Sequence, residues 1–261
     1  MKNFVVGAQL YSVRSLCQDA ATFDTTLAAI KAMGYNTVQI SGVSREIPDE
    51  VVADLLKKYA LKCVVTHNPM QEFENELPQL IARHKLWDCE YAGLGAMPGE
   101  YHEDVEGFKR FAAKANEIGA KLKDEGIKFV YHNHAFEFAR YDGVLGMDVL
   151  FDEFSENVQF ELDSYWVQAG GASPEKWFRK VDGRMEVAHF KDMRGTPNFN
   201  PPQTMVPVGS GNIDFLALKQ ICEETAVRYA EVEQDNASMM DKPLSQMEES
   251  ANNLKKLGFI L

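Results

Sequence analysis

Four residues of types that bind divalent cations stand at the ends of short apolar runs in the second half of the chain. Glu137 lies in YHNHAFEF (131–138), after the run Ile127-Lys-Phe-Val. Asp163 follows Phe160-Glu-Leu, His189 follows Glu186-Val-Ala, and Glu233 ends Tyr229-Ala-Glu-Val. Ordinary strands give way to Gly, Asn or Pro at their turns, so carboxylates and imidazoles at these ends ask for another explanation. Three carboxylates and one imidazole make a hard, mostly oxygen donor set. It suits one divalent ion, Mn²⁺ or Mg²⁺ ahead of Co²⁺ or Zn²⁺, and does not suit a thiolate-seeking metal. Such a centre stabilises charge on a substrate oxygen and so acidifies the C–H next to a carbonyl. Taken singly, each residue reads as a helix cap or a satisfied polar group. Taken together they need a cation, because clustered carboxylates repel one another.

Neighbouring residues leave choices open. Glu231 lies two positions before Glu233, so strand parity aims both at one face. Glu233, nearer the strand end, is the chosen ligand, and Glu231 would lie deeper, needing a hydrogen-bond partner or a raised pKa. His132 and His134 share a face; His134 is a candidate substrate contact, and at least one of the pair reads as a group supporting the ligands. His67 ends a strand and faces either substrate or structure. Lys191, two residues after His189, would bind a substrate hydroxyl or oxyanion, or pair with a nearby carboxylate. Gln9 and Gln39 end the first two strands as hydroxyl binders or turn formers. Trp166 and Tyr11 offer an apolar wall to a sugar ring, or simply pack.

The elements that must position these groups alternate along the whole chain. Expected strands are Phe4 to Leu10, Asn36 to Ile40, Leu61 to Thr66, Tyr91 to Leu94, the run before Tyr131, Val158 to Leu162, Met185 to Ala188, and Tyr229 to Val232. Amphipathic helices are expected between them, among them Thr22 to Met33, Pro48 to Tyr59, Glu72 to Trp87 and Glu103 to Glu125, with Ser173 capping a helix over Pro174 to Val181. A stretch rich in Pro, Asn and Gly, Arg194 to Asn212, reads as irregular and long enough for a lid. Eight strand-then-helix units in 261 residues predict one (β/α)₈ barrel spanning 1–261, whose strand C-termini carry the chemistry. QLYSVR after the first strand is no Gly-rich phosphate fingerprint, which disfavours a dinucleotide fold.

Bulk properties narrow the function. The composition, 45% hydrophobic and 25% charged, is that of an ordinary globular protein. Net charge is −12, from 27 basic and 39 acidic residues without a basic cluster, which argues against a nucleic-acid partner. Cys17, Cys63, Cys89 and Cys222 are widely spaced and read as reduced thiols of a cytoplasmic protein. The N-terminus MKNFVVGAQLYSVR has too short an apolar run for a signal peptide, and no stretch is long enough to span a bilayer.

QLYSVR (9–14), YHNHAFEF, ELDSYWV (161–167), HFKD (189–192) and VEQD (232–235) together resemble the sugar phosphate isomerase/epimerase family of xylose isomerase-like TIM barrels, over essentially the whole chain. The resemblance implies metal ligation by Glu137, Asp163, His189 and Glu233, with the two glutamates as the acid/base pair. Related ketose 3-epimerases place a substrate-binding histidine three residues after the metal aspartate, where this chain has Trp166.

The expected activity is metal-dependent sugar isomerisation or epimerisation through an enediolate, one glutamate taking the proton and the other returning it. The alternatives are a lyase on a keto-sugar or cyclitol, like inosose dehydratase, and a sugar-binding barrel without turnover. A metal-dependent phosphodiesterase is disfavoured by the acidic charge. The expected partner is a small sugar or keto-sugar, with no membrane or nucleic acid, and with homo-oligomerisation left open.

Overall fold

A computed structural model describes residues 4–198 and 200–261. Residues 1–3 of the N-terminal stretch, and residue 199 of the stretch 194–212, lie outside the described residues. Eight parallel strands form one sheet: β1 (Val5–Gln9), β2 (Thr37–Ile40), β3 (Lys62–Asn68), β4 (Tyr91–Leu94), β5 (Lys128–His132), β6 (Val158–Glu161), β7 (Val187–Phe190) and β8 (Tyr229–Val232). Their order around the sheet is β6-β5-β4-β3-β2-β1-β8-β7. The ring closes between its two end strands through a parallel bridge of Asp163 with His189 and a bond from the His189 N–H to the Leu162 carbonyl, 2.8 Å. Helices join successive strands on the outside, so the chain is a (β/α)₈ barrel.

Parity decides what faces the barrel axis. Glu231 pairs in register with both Gly7 and His189, and His132 pairs with Glu161. Two residues nearer the strand starts, a separate apolar group of Val65, Tyr91, Val130 and Val187 plugs the interior. The polar layer above it is therefore a floor laid on a packed core, not the lining of a pore. Two glycines make room in that layer. A Cβ on Gly7 would lie 2.3 Å from Glu231 Oε2, and one on Gly93 would lie 2.9 Å from His67 Cδ2.

Several expected elements differ from those observed. The helix expected over 72–87 is two, Met70–Asn75 and Leu77–Leu86, because Pro78 starts a new helix instead of continuing the old one. A short helix, Ser164–Ala169, had no periodic signal long enough to reveal it. β7 begins two residues later than the hydrophobic run suggests, so His189 lies within the strand. The stretch expected to be irregular instead holds one strand of an antiparallel pair, Gln203–Val206 against Asp192–Gly195. Its return is anchored on Asp192, whose carboxylate accepts the N–H groups of Met193, Gly209, Gly211 and Ile213.

Candidate metal centre

At the C-terminal mouth of the barrel, His132, Asp163, His189 and Glu233 each offer a ligand atom, and these atoms all lie within 4.8 Å of one another. All four side chains are buried. His132 ends β5, Asp163 follows β6, His189 is in β7 and Glu233 follows β8, so four strand ends aim them at one point. His132 Nε2 is 3.8 Å from Asp163 Oδ2 and 3.9 Å from Glu233 Oε2. His189 Nδ1 is 3.7 Å from Asp163 Oδ2 and 3.0 Å from Glu233 Oε2.

The hydrogen bonds fix what each atom presents. His132 Nδ1 lies 2.8 Å from the Asn133 carbonyl, which can only accept, so Nδ1 carries the proton. Burial, followed by the charges of His189 and His67, holds the ring well below the usual histidine range and hence neutral. Its Nε2 therefore presents a lone pair to two carboxylate oxygens. Asp163 caps a helix and also joins this cluster, the two places that the sequence left as competing. Oδ1 accepts the Trp166 N–H at 2.9 Å and starts the helix, while buried Oδ2 faces the cluster, 3.2 Å from the Lys191 ammonium and 3.8 Å from His132 Nε2. A lone pair aimed at a carboxylate oxygen is a poor arrangement, which the Lys191 ammonium offsets in part and a cation between the two would suit.

His189 is held from behind. Its Nε2 lies 2.7 Å from Gln39 Oε1 and 3.1 Å from Glu161 Oε1. Glu161 is held in turn by His67 Nε2, 2.6 Å from Oε2. Burial alone would raise the Glu161 carboxyl, but the charges of His189 and His67 bring it down to about 2. Carboxylate support behind a ligand histidine fixes its tautomer and increases its basicity. Glu161 was not singled out in the sequence, although its parity with Asp163 could have pointed to it.

Lys191 is buried and takes the salt-bridge role, its Nζ lying 3.2 Å from Asp163 Oδ2, 2.9 Å from Glu233 Oε2 and 2.9 Å from Asp235 Oδ1. Burial would lower its pKa, but the three carboxylates outweigh it and keep the ammonium charged. Burial and the Glu233 charge push Asp235 up to about 6. Glu231 lies deeper, as parity requires. Its closest donor is Thr37 Oγ1 at 3.4 Å, and burial pushes its carboxyl up to about 8.

Glu137 does not join the quartet. After His132 the chain leaves the strand for a turn of 3₁₀ helix, Phe136–Phe138. There the Glu137 carboxylate accepts the Tyr131 hydroxyl at 2.6 Å and the His134 N–H at 2.9 Å. Burial pushes it up to about 7, with those hydrogen bonds opposing. His132 stands in the position expected of Glu137, and Glu137 instead fixes the turn that carries His134.

A cavity of about 550 Å³ opens above the cluster, with His67, His132, His134, Lys191, Glu233 and Asp235 on its polar side and Met70, Leu94 and Met97 on its apolar side. Tyr11 also lines it, with the Arg14 guanidinium 4.0 Å over its ring. Gln9 and Trp166, expected as substrate contacts, are not among the lining residues. Gln9 Oε1 accepts the Tyr11 N–H, and the Trp166 ring packs 5.2 Å from Lys191 Nζ and 5.2 Å from the His134 ring. The QLYSVR segment instead docks the last strand end, with Ser12 accepting the Gln234 N–H and Arg14 donating to the Asp235 carbonyl.

The family model described as Xylose isomerase-like TIM barrel matches residues 27–257. The chain belongs to this family. Among curated relatives of this xylose isomerase-like barrel, an inosose dehydratase from Clostridium perfringens is 31% identical over 97 residues, 37% of this chain. The match spans 32% of that relative's length, about a third. A crystal structure of a sugar phosphate isomerase/epimerase from Parabacteroides distasonis superposes with a TM-score of 0.79 at 21% identity, covering 100% of this chain and 96% of the other. The IOLI protein, solved with a bound zinc atom, superposes with a TM-score of 0.71 at 15% identity over 97% and 98% of the two chains. At those identities the two structures bear on the fold alone. No helix among the described residues is long and apolar enough to cross a membrane.

Proposed function

We propose that this barrel is a divalent-metal-dependent sugar isomerase or epimerase that removes a proton next to a carbonyl through an enediolate. One observation carries the reading: the His132 lone pair and Asp163 Oδ2 meet His189 and Glu233 beneath an open cavity. His132, Asp163, His189 and Glu233 would hold the cation, Mn²⁺ or Mg²⁺ with Co²⁺ or Zn²⁺ as alternatives; two imidazoles where one was expected shift weight toward the latter pair. A cation there would supply Lewis-acid stabilisation of charge growing on the substrate oxygen.

The chain's own groups handle the protons. Burial alone would raise the Glu233 carboxyl, but Lys191 and His189 hold it well below the usual carboxylate range, so it stays ionised and available as the acceptor. His134, across the mouth on the turn after β5, is pushed down to about 4 by burial and the Lys191 charge. Neutral at physiological pH, it offers both an N–H and a lone pair to the substrate. Lys191 and Asp235, paired at 2.9 Å on the cavity wall, present a charged donor and an acceptor for hydroxyl groups. In this reading Glu233 keeps the acid/base role expected of it, and the cavity-lining His134 takes the place of Glu137.

A lyase acting on a keto-sugar or cyclitol is the second reading, favoured by the sequence likeness to inosose dehydratase. It shares the first proton abstraction and differs only in what the enolate expels. Incubating metal-loaded protein with a panel of sugars, keto-sugars and cyclitol ketones in D₂O tests both. Deuterium is expected at a carbon next to the carbonyl, and product identity then separates isomerase, epimerase and lyase. Tight sugar binding with no exchange on any substrate would instead indicate a binding protein.

A further inference from the structure

Cys63 and Cys89 are 26 residues apart in the chain and adjacent in the barrel. Val65 of β3 pairs with Tyr91 of β4, and two residues back the same parallel register sets Cys63 beside Cys89. Their sulfurs lie 3.5 Å apart, and the Cys63 thiol donates to Cys89 Sγ. Neighbouring strands run about 4.8 Å apart, which is within the Cα separation that a disulfide spans, so only the sulfurs need to close to about 2.05 Å. The pair is buried but not sealed. Cys89 and His84 line a cavity of about 500 Å³ at the start of β4, together with Lys62 and Lys85.

Position makes the two thiols unequal, since Cys89 Sγ accepts the Cys63 thiol and Cys89 is the one that lines the cavity. His84 shares that cavity wall: its Nδ1 lies 2.8 Å from the Leu80 carbonyl, its Nε2 2.8 Å from Thr66 Oγ1, and its own carbonyl accepts the Cys89 N–H at 2.9 Å. Burial alone would raise both thiols. The thiol that Cys63 donates, with His84 nearby, instead brings Cys89 below the ordinary thiol range, while Cys63 is driven well above it. Cys17 and Cys222 are buried without such partners, and burial pushes both up. An activated sulfur beside a resolving sulfur is the arrangement that peroxide-sensitive thiols require.

We propose that Cys63 and Cys89 form an oxidisable dithiol that takes hydrogen peroxide, with Cys89 as the attacking sulfur and Cys63 as the resolving one. The Cys89 thiolate attacks one peroxide oxygen, the O–O bond breaks, and the other oxygen leaves as hydroxide and is protonated to water. The Cys63 sulfur then displaces hydroxide from the Cys89 sulfenic acid. The Cys63 proton completes a second water as the S–S bond forms. Two thiols and one peroxide give one disulfide and two waters.

The test treats the reduced full chain with graded hydrogen peroxide, blocks remaining thiols after denaturation, and maps tryptic peptides without reductant. Arg83 and Lys85 lie between the two cysteines, so trypsin separates them unless they are bonded. The expected result is a linked Cys63–Cys89 peptide at the lowest effective dose, reversed by dithiothreitol, with Cys17 and Cys222 still alkylated. Cys63→Ser should stop at a Cys89 sulfenic acid that dimedone traps. The proposal is overturned if Cys63 and Cys89 stay reduced at doses that oxidise Cys17 or Cys222. It is equally overturned if Cys89 passes to higher acids in the unmodified chain with no linked peptide.

Discussion

His132 Nε2 lies 3.8 Å from Asp163 Oδ2, and neither atom has a proton to offer the other. The Asn133 carbonyl fixes the tautomer of one, and the Trp166 N–H occupies the other oxygen of the second. The Lys191 ammonium, 3.2 Å from Oδ2, offsets this conflict only in part; a cation between the two would remove it, and the proposed ligand roles follow from that.

His132→Ala and Asp163→Asn should each lower affinity for Mn²⁺ or Zn²⁺ by about two orders of magnitude or more, since each removes a donor from a set of four. Glu137→Gln should leave metal content near one ion per chain, because its carboxylate holds Tyr131 and the His134 N–H. Elemental analysis of the purified, metal-reconstituted variants checks both. Loss of metal from Glu137→Gln with retention by His132→Ala would reverse the assignment.

Glu161 reaches the quartet through His189, whose Nε2 is 3.1 Å from Oε1, and holds the cavity-lining His67 with its other oxygen. Glu161→Gln should weaken metal binding by about 10–100-fold. The same substitution should leave the thermal midpoint of the metal-free protein within a few degrees. Titration calorimetry with the metal, beside a melting curve, separates a supporting role from a merely structural one.

At the opposite rim, Glu186 accepts from Lys128 Nζ at 2.8 Å, from Gln159 at 3.3 Å and from the Tyr91 hydroxyl. Burial alone would raise its carboxyl, but those donors bring it down to about 2. A carboxyl whose folded pKa lies below its unfolded value adds stability above the unfolded pKa and loses it as pH falls through the folded one. Glu186→Gln should therefore cost about 1–3 kcal/mol at pH 7. That difference should shrink from about pH 4.5 downward and vanish near pH 2. Urea denaturation of both proteins across this range measures it.

Gly7 leaves room for Glu231, since an added Cβ would lie 2.3 Å from Oε2 and 2.3 Å from Thr37 Oγ1. Gly7→Ala should destabilise the barrel by about 1–3 kcal/mol through overpacking. Adding Glu231→Ala should recover part of that loss, giving a non-additive double-mutant cycle. Additive losses would mean that the crowding lies elsewhere.

The barrel was legible because eight apolar runs alternate with amphipathic ones, and Asp163, His189 and Glu233 were legible because each stands at a strand end. Glu137 lies apart from that group for a physical reason. Strand parity holds only to His132, and the next residues leave the ladder for a 3₁₀ turn that points the glutamate at Tyr131. The strand Gln203–Val206 lies within a stretch that reads as coil by composition, and its pairing depends on Asp192 collecting N–H groups from far along the chain. The Cys63–Cys89 contact depends on the register between two strands, which spacing in the chain does not record.

The most direct measurement is an anomalous difference map from crystals of the full chain grown with Mn²⁺. The account predicts one strong peak within bonding distance of His132 Nε2, Asp163 Oδ2, His189 Nδ1 and Glu233 Oε2. A peak ligated by Glu137 in place of His132, or density confined to the protein surface, would contradict it.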